Sequence, residues 1–178
     1  MKKYIIKGPT TSISGTVNIN GAKNSCLPLM AASILFKDKV VLKNVPLVKD
    51  VITMKNLLIS LGSKVEILKK NKMIIKNSNP HKRRVPYKLV STMRAGVLTM
   101  GSLLGRYQKK KIYVAKGGGC SLGIRDINYH LSGFESLAAE HHLEKGYVRI
   151  QSKNGLVGGS YKFPRVSVTG TSNLICLL

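Results

Sequence analysis

The sequence predicts a mixed α/β fold built from a repeated unit of helix, strand, helix and hairpin. Three observations predict it. Apolar residues fall at helical spacing in segments that alternate with short strand-like runs. The same elements return in the same order at offsets of about seventy to eighty residues, which marks an internal duplication. With 178 residues and 43% hydrophobic content, the chain can fill one core and not two.

The first unit opens after Gly21 with a helix expected over about 24–35 (NSCLPLMAASIL), followed by the strand VVLKNV at 40–45. A second helix is expected over 48–61, where Met54, Leu57, Leu58 and Leu61 share one face. Lys49 and Asp50 lie at its start, and no capping side chain is evident. KVEIL and KMIIK then form a strand pair around the turn KKN. The order repeats with a helix over about 92–104, the strand KIYVAK at 111–116, a glycine loop, a helix over 127–138, and the strands EHHLE and YVRIQ around Lys145-Gly146. A third copy begins at VSVTGTSNLICLL, where Gly170-Thr171-Ser172-Asn173 stands as Gly21-Ala22-Lys23-Asn24 does in the first. Its apolar run stops inside a buried helix, so the sequence is expected to be a fragment or truncated product.

Thirty Lys and Arg against seven Asp and Glu give a formal charge of +23, which points to a polyanionic partner or an anionic substrate. The runs KKNK (69–72), HKRR (81–84) and KKK (109–111) fall at expected turns and read as separate solvated loop tips. Aromatic residues are 6% with no Trp, so a base-stacking platform is not expected and nucleic acid is a minority reading. Cys26, Cys120 and Cys176 are odd in number and widely spaced, which fits reduced thiols rather than a disulfide framework or a zinc site. LPLMAASILF is too short to cross a bilayer and the N-terminus lacks a signal-peptide core, so a soluble cytoplasmic protein is expected.

The stretch AKGGGCSLGIRDINYH places three glycines before Cys120 and Arg125 five residues after it. Glycine sacrifices packing and ordering entropy, and is placed where backbone must approach a partner closely or take positive φ. A thiol near a helix start and an arginine has its thiolate favoured, which suits proton transfer or nucleophilic chemistry; the plainer alternative is a small residue filling a loop. Gly118 and Gly123 have Walker spacing, but Ile124-Arg125 follow instead of Lys-Ser/Thr. A dinucleotide fingerprint from Gly117 would need glycine where Leu122 stands. Lys23, Asn24 and Arg94 lie near equivalent helix starts, where free N–H groups and the helix dipole favour anions. Singly, each reads equally well as an exposed loop residue; a repeat fold brings equivalent positions to one end. His141-His142 point opposite ways on a strand, and His130 reads as a packing or capping residue.

These residues together resemble the UDP-N-acetylglucosamine 1-carboxyvinyltransferase family of enolpyruvyl transferases. KGPTTSISGTVNINGAKNSCLPLMAA, LKNVPLVKDV, STMRAG, GGCSLGIR, LSGFESL with LEKGYV, and VSVTGTSN match in family order along the whole chain. The resemblance implies transfer of the enolpyruvyl group of phosphoenolpyruvate to the 3-hydroxyl of UDP-N-acetylglucosamine, with release of phosphate through a tetrahedral intermediate, as the first committed step of peptidoglycan precursor synthesis. No metal or organic cofactor is implied. The implied fold is two lobes, each an inside-out α/β prism of three repeated units, with the cleft between them. Residues 1–20 would be a strand segment of the second lobe. Residues 21–178 would be an incomplete lobe of repeats 21–86 and 87–160, with a third, truncated one starting at 161–178.

Carried over by position, the resemblance gives Lys23 and Asn24 to phosphoenolpyruvate, with Lys23 neutralising its phosphate. Cys120 becomes the proton donor to the methylene carbon and the target of fosfomycin. Arg94 would help hold the sugar nucleotide and Arg125 would face phosphate and the uracil region. Asp126, Ile127, Asn128 and Tyr129 follow at the uridine, with Arg165 beside it and Val166, Ser167 and Val168 in a nucleotide-binding strand turn. Departures from the family pattern are Gly117 in place of proline, which loosens the loop, and Asp126-Ile127-Asn128-Tyr129-His130 in place of P-V-D-L-H. Asn128 keeps an acceptor and loses the charge. The family's general base, an aspartate, and a further phosphate-binding arginine have no counterpart, so the isolated chain is expected to show little activity and to depend on any complementing C-terminal chain. The alternative is a noncatalytic basic module that binds anions or nucleic acid without turnover. The related shikimate-pathway transferase is disfavoured by Cys120 and the GAKN motif.

Overall fold

Gly21 and Ala22 lead into helix α1 (Lys23–Ala32), which passes into a 3-10 turn at Ser33–Leu35. The computed structural model describes residues 3–8, 12, 14–77, 82–115 and 127–177, with Arg94 placed by its backbone. Strand β1 (Val40–Leu42) follows, then helix α2 (Lys49–Leu61) and the hairpin β2 (Lys64–Leu68) and β3 (Lys72–Lys76). Helix α2 buries Val51, Met54, Leu57, Leu58 and Leu61 completely. Each such side chain contributes about 1.5–3 kcal/mol of hydrophobic stabilisation. The helix stops at Gly62, whose φ of 113° only glycine adopts readily, and the Gly62 and Ser63 N–H groups close on the Ile59 and Leu58 carbonyls at 3.0 Å each.

The second unit adds two elements absent from the sequence reading, strand β4 (Arg84–Val85) and helix α3 (Tyr87–Val90). The helix expected over 92–104 divides into a 3-10 turn at Arg94–Leu98 and helix α4 (Thr99–Arg106). Thr99 supplies the local reason: its hydroxyl donates to the Gly96 carbonyl at 2.7 Å. Strand β5 (Ile112–Ala115), helix α5 (Asn128–Glu135), strands β6 (Glu140–Glu144) and β7 (Tyr147–Gln151), and helix α6 (Val168–Ile175) complete the chain. α5 is shorter than the expected 127–138, because the Ala139 N–H turns back to the Phe134 carbonyl and Ala138 takes φ 63°. β1 stops before the expected Val45, because Asn44 takes φ 54° and the Val45 N–H goes to the Asn71 carbonyl.

Duplication is visible in the sheets. The first has the order β1-β3-β2, and the second repeats it as β5-β7-β6 with β4 added on the outside of β5. In both, the lone strand pairs antiparallel with the second strand of its hairpin. β4 pairs parallel with β5, Arg84 opposite Tyr113 and Val85 opposite Val114. The KKN turn is as expected, Lys70 and Asn71 both taking positive φ between β2 and β3, the conformation of the tight hairpin turn. Residues 14–20 form no strand, and Tyr4, Ile5, Ile6, Val17 and Ile19 are exposed.

One apolar core runs through both units, from Met30 and Ile34 through Met54 and Leu57 to Leu103, Phe134 and Ile150. Arg106, at the end of α4, ties them together. Its guanidinium donates to the carbonyls of Ile34 (2.5 Å), Phe36 (2.9 Å) and Asn77 (3.1 Å), all in the first unit. Hydrogen bonds from a charged donor to partly buried acceptors are worth about 1.5–3 kcal/mol each in gross terms, with part returned by water on removal. Arg106→Met is therefore expected to destabilise the chain by about 2–3 kcal/mol. A shifted urea midpoint at unchanged m-value would show it; a loss below about 0.5 kcal/mol would remove the clamp from the account.

Candidate active site

Several of the expected site residues that the structure describes sit at helix starts. Lys23 and Asn24 are the first two residues of α1, and both are exposed. Their placement follows from Gly21: a Cβ there would overlap the Asn44 carbonyl oxygen, so only glycine lets the helix start press against the end of β1. Asn44 completes the approach with its positive φ, which asparagine tolerates. Ala22 offers no side-chain cap, so the N-terminal N–H groups of α1 have no side-chain acceptor. Pro28 has no N–H to donate to the Asn24 carbonyl. A shallow depression of about 460 Å³ lies beside this start, between the first turn of α1 and residues 41–46.

Asp50 is the ion-pair partner of Lys23 that sequence reasoning missed. Lys23 Nζ donates to Asp50 Oδ2 at 2.8 Å, across 27 residues, with the two side chains 46% and 36% exposed. An ion pair this open is worth about 0–1 kcal/mol. Asp50 therefore orients the ammonium at the start of α2 without locking it away from a stronger anion. The available signal was an acid in the first turn of the expected second helix; nothing local could show which cation it met.

Arg94 opens the 3-10 turn Arg94–Leu98, the counterpart of the α1 start in the second unit. Ile127 precedes α5 and packs against the core, Asn128 is the first residue of α5, and Tyr129 the second, half-buried. The strand turn expected at Val166-Ser167-Val168 is instead a bend at Pro164–Arg165 leading into α6: Ser167 is the cap, its hydroxyl accepting from the Gly170 N–H at 3.1 Å. The reason is local, because a serine cap satisfies a helix N–H that a strand would have paired otherwise. Arg165, Val166 and Val168 are exposed. Cys120, Arg125 and Asp126 lie outside the described residues.

Packing joins several of these starts. Asn173 of α6 donates to the Val97 carbonyl at 3.1 Å, which connects α6 to the turn that Arg94 opens. Thr169 Oγ1 stands 3.5 Å from His130 Nε2, which brings the first turns of α6 and α5 side by side. His130 is buried and bonded, as a packing residue should be. Among the described residues, no group of His, Cys, Asp and Glu could hold a metal ion. Cys26 is buried, and burial pushes its thiol up. Cys176 is buried as well.

Comparison with known proteins gives the family. The chain is 43% identical over 175 residues to a UDP-N-acetylglucosamine 1-carboxyvinyltransferase from Pelagibacter ubique, covering 98% of this chain and 41% of that protein. It is 44% identical over 175 residues to the protein of the same name from Magnetococcus marinus, with the same coverage, and 42% over 178 residues to that of Rickettsia rickettsii, covering 98% and 42%. The chain thus spans about two-fifths of the length of these relatives. Among solved structures, the enolpyruvyl transferase NikO from Streptomyces tendae matches with a TM-score of 0.67 at 16% identity, covering 81% of this chain and 31% of that one. An EPSP synthase from Acinetobacter baumannii matches with a TM-score of 0.66 at 17% identity, covering 92% and 37%. These two show a shared fold. The sequence profile of EPSP synthase (3-phosphoshikimate 1-carboxyvinyltransferase) matches residues 7–178, nearly the whole chain, and the chain belongs to that family.

Proposed function

We propose that the chain is the N-terminal, substrate-binding portion of an enzyme that transfers the enolpyruvyl group of phosphoenolpyruvate to the 3-hydroxyl of UDP-N-acetylglucosamine, releasing phosphate in the first committed step of peptidoglycan precursor synthesis. The observation that carries the reading is 41–44% identity along 98% of the chain to relatives bearing that one name. Lys23 at an uncapped helix start, steadied by a weak ion pair, supports it. In this reading residues 21–178 form part of an inside-out α/β prism, residues 1–20 belong to the facing lobe, and the enzyme works in the cytoplasm. The described residues contain no helix long and apolar enough to cross a membrane.

Lys23 neutralises the phosphate of phosphoenolpyruvate, and Asn24 holds the substrate and the tetrahedral intermediate through its amide. The Cys120 thiol gives its proton to the methylene carbon, turning it into a methyl group, as the sugar 3-hydroxyl oxygen bonds to the central carbon and loses its own proton to the aspartate general base that the family resemblance implies. Elimination then returns a proton from that methyl group, expels phosphate and restores the double bond. Arg94 and Arg125 bind the sugar nucleotide, with Arg125 also near phosphate. Asp126, Ile127, Asn128, Tyr129, Arg165, Val166, Ser167 and Val168 line the uridine. The glycines at 117–119 let the loop close over the cleft and exclude water from the reacting carbon.

The test is a chimera in which this chain replaces the matching 41% of the Pelagibacter relative. Phosphate release from phosphoenolpyruvate should depend on added UDP-N-acetylglucosamine. A folded chimera that turns over shikimate 3-phosphate instead, or neither acceptor, would overturn the reading.

A further inference from the structure

Residues 82–84 and 109–111, far apart in sequence, meet in the fold. Parallel pairing of β4 with β5 sets Arg84 opposite Tyr113, and the Tyr113 N–H donates to the Arg83 carbonyl at 2.7 Å. Arg83, Arg84, Lys111 and Tyr113 surround an open depression of about 450 Å³, and Lys82, Lys109 and Lys110 flank it, all three exposed. These six cations occupy one edge of the second sheet.

Charge on this sheet is segregated. Its acids lie at the opposite edge and are engaged there: Glu140 with Lys153 at 2.8 Å, Glu144 with Arg149 at 3.5 Å, and Glu135, at the end of α5, with His141 at 3.0 Å. The Lys153 ammonium, hydrogen-bonded to Glu140, holds that carboxyl below its ordinary range. Among the described residues, no ion pair reaches Arg83, Arg84 or Lys111. Arginine usage carries the same message. In a chain whose cations are mostly lysine, the arginines are Arg83, Arg84, Arg94, Arg106, Arg125, Arg149 and Arg165. Arg106 is the interunit clamp and Arg94, Arg125 and Arg165 belong to the proposed cleft. Of the remaining three, Arg149 in β7 pairs with Glu144, while Arg84 in β4 and Arg83 just before it line the depression, where a planar donor fork suits phosphate better than an ammonium does.

Arg84 is also preorganised. Its guanidinium carbon lies 4.1 Å from the Tyr147 ring centroid and 5.7 Å from that of Tyr113. Cation–π contact with Tyr147 positions the guanidinium beside the depression. Tyr113, the more distant ring, lines the depression and offers an aromatic surface there. The depression is open and its cations continue along the residues leading into β4 and β5, a layout that suits an extended polyanion better than an enclosed small anion.

We propose that the β4–β5 edge binds the sugar-phosphate backbone of a single-stranded nucleic acid, with Arg83, Arg84 and Lys111 as phosphate contacts and Tyr113 as a stacking surface. This surface does not depend on the proposed transferase reading, since none of its residues belongs to that cleft.

Fluorescence anisotropy of the 178-residue chain with a labelled single-stranded 12-mer RNA tests it across a salt series. Neutralising three phosphate contacts contributes about 2 to the slope of log affinity against log salt for a single strand. The triple variant Arg83→Gln, Arg84→Gln, Lys111→Gln should bind at least about 10-fold more weakly and flatten the slope by about 2. The control Lys64→Gln, Lys69→Gln, Lys76→Gln, with the same charge removed from the first sheet, should stay within about 3-fold. Equal losses in both would assign binding to net charge and overturn the proposal. So would tighter binding to a duplex, or to anionic phosphatidylserine vesicles that the RNA cannot displace. If loss of the Arg84–Tyr147 stack unfolds the triple variant, Arg83→Gln with Lys111→Gln leaves that stack intact and should still weaken binding about 5-fold; unchanged affinity would sink the idea.

Discussion

Replacing Lys23 by Met in the chimeric enzyme should lower kcat/KM for phosphoenolpyruvate by roughly 100-fold or more, about 3 kcal/mol of transition-state stabilisation. An ammonium at the first position of α1 adds to the field of an uncapped helix start, so in the proposed function both act on the same anionic phosphate. A thioether of similar length keeps the packing and removes the charge. Stability should hardly move, because the Lys23–Asp50 pair is exposed and worth less than about 1 kcal/mol. Steady-state kinetics with an unchanged thermal midpoint would therefore separate function from folding. A variant that retains wild-type kcat/KM would take Lys23 out of the site.

Asn173→Leu should be the most destabilising of the polar substitutions, at about 3–5 kcal/mol and a melting temperature roughly 10 °C lower. The fully buried amide bridges three elements: Oδ1 accepts from the Gly101 N–H at 3.0 Å, while Nδ2 donates to the Val97 carbonyl at 3.1 Å and lies 2.7 Å from His130 Nδ1. Gly101 can only donate and Val97 can only accept, which fixes the amide orientation and makes His130 Nδ1 an acceptor. Space is equally constrained. A Cβ at Gly101 would overlap the Asn173 carbonyl oxygen, so α4 and α6 meet backbone to backbone. Leucine leaves the Gly101 N–H and the Val97 carbonyl without these partners and brings a branched side chain to a contact built for a planar amide. Calorimetry showing a loss under about 1 kcal/mol would mean that the bridge is dispensable.

Helices and hairpins were largely legible in the sequence because the forces that make them are local. Met54, Leu57, Leu58 and Leu61 recur at helical spacing and are fully buried in α2. The hairpins KVEIL/KMIIK and EHHLE/YVRIQ formed as read, each around residues that accept positive φ. The misses have equally physical causes. β4 is two residues long and exists through its parallel pairing with a strand almost thirty residues away, which leaves no periodicity to detect. The length of β1 is set by Asn44, whose conformation depends on contact with Gly21.

For the candidate site, chemical type was readable and pairing was not. Lys23, Asn24 and Arg94 were recognisable as cationic or amide groups at helix starts, because helix starts announce themselves through flanking glycines and apolar runs. The partnership of Lys23 with Asp50 required the packing of α1 on α2. Three basic runs looked alike in sequence, yet KKNK remains an isolated turn while residues 82–84 and 109–111 converge on one sheet edge. Sequence by itself determined the duplicated order of elements, the apolar faces and the family, since each depends on residue type and short-range spacing. Only the tertiary structure decided which charges meet, where two backbones touch and which strands lie side by side, because those are set by contacts between segments whose separation along the chain carries no local signal.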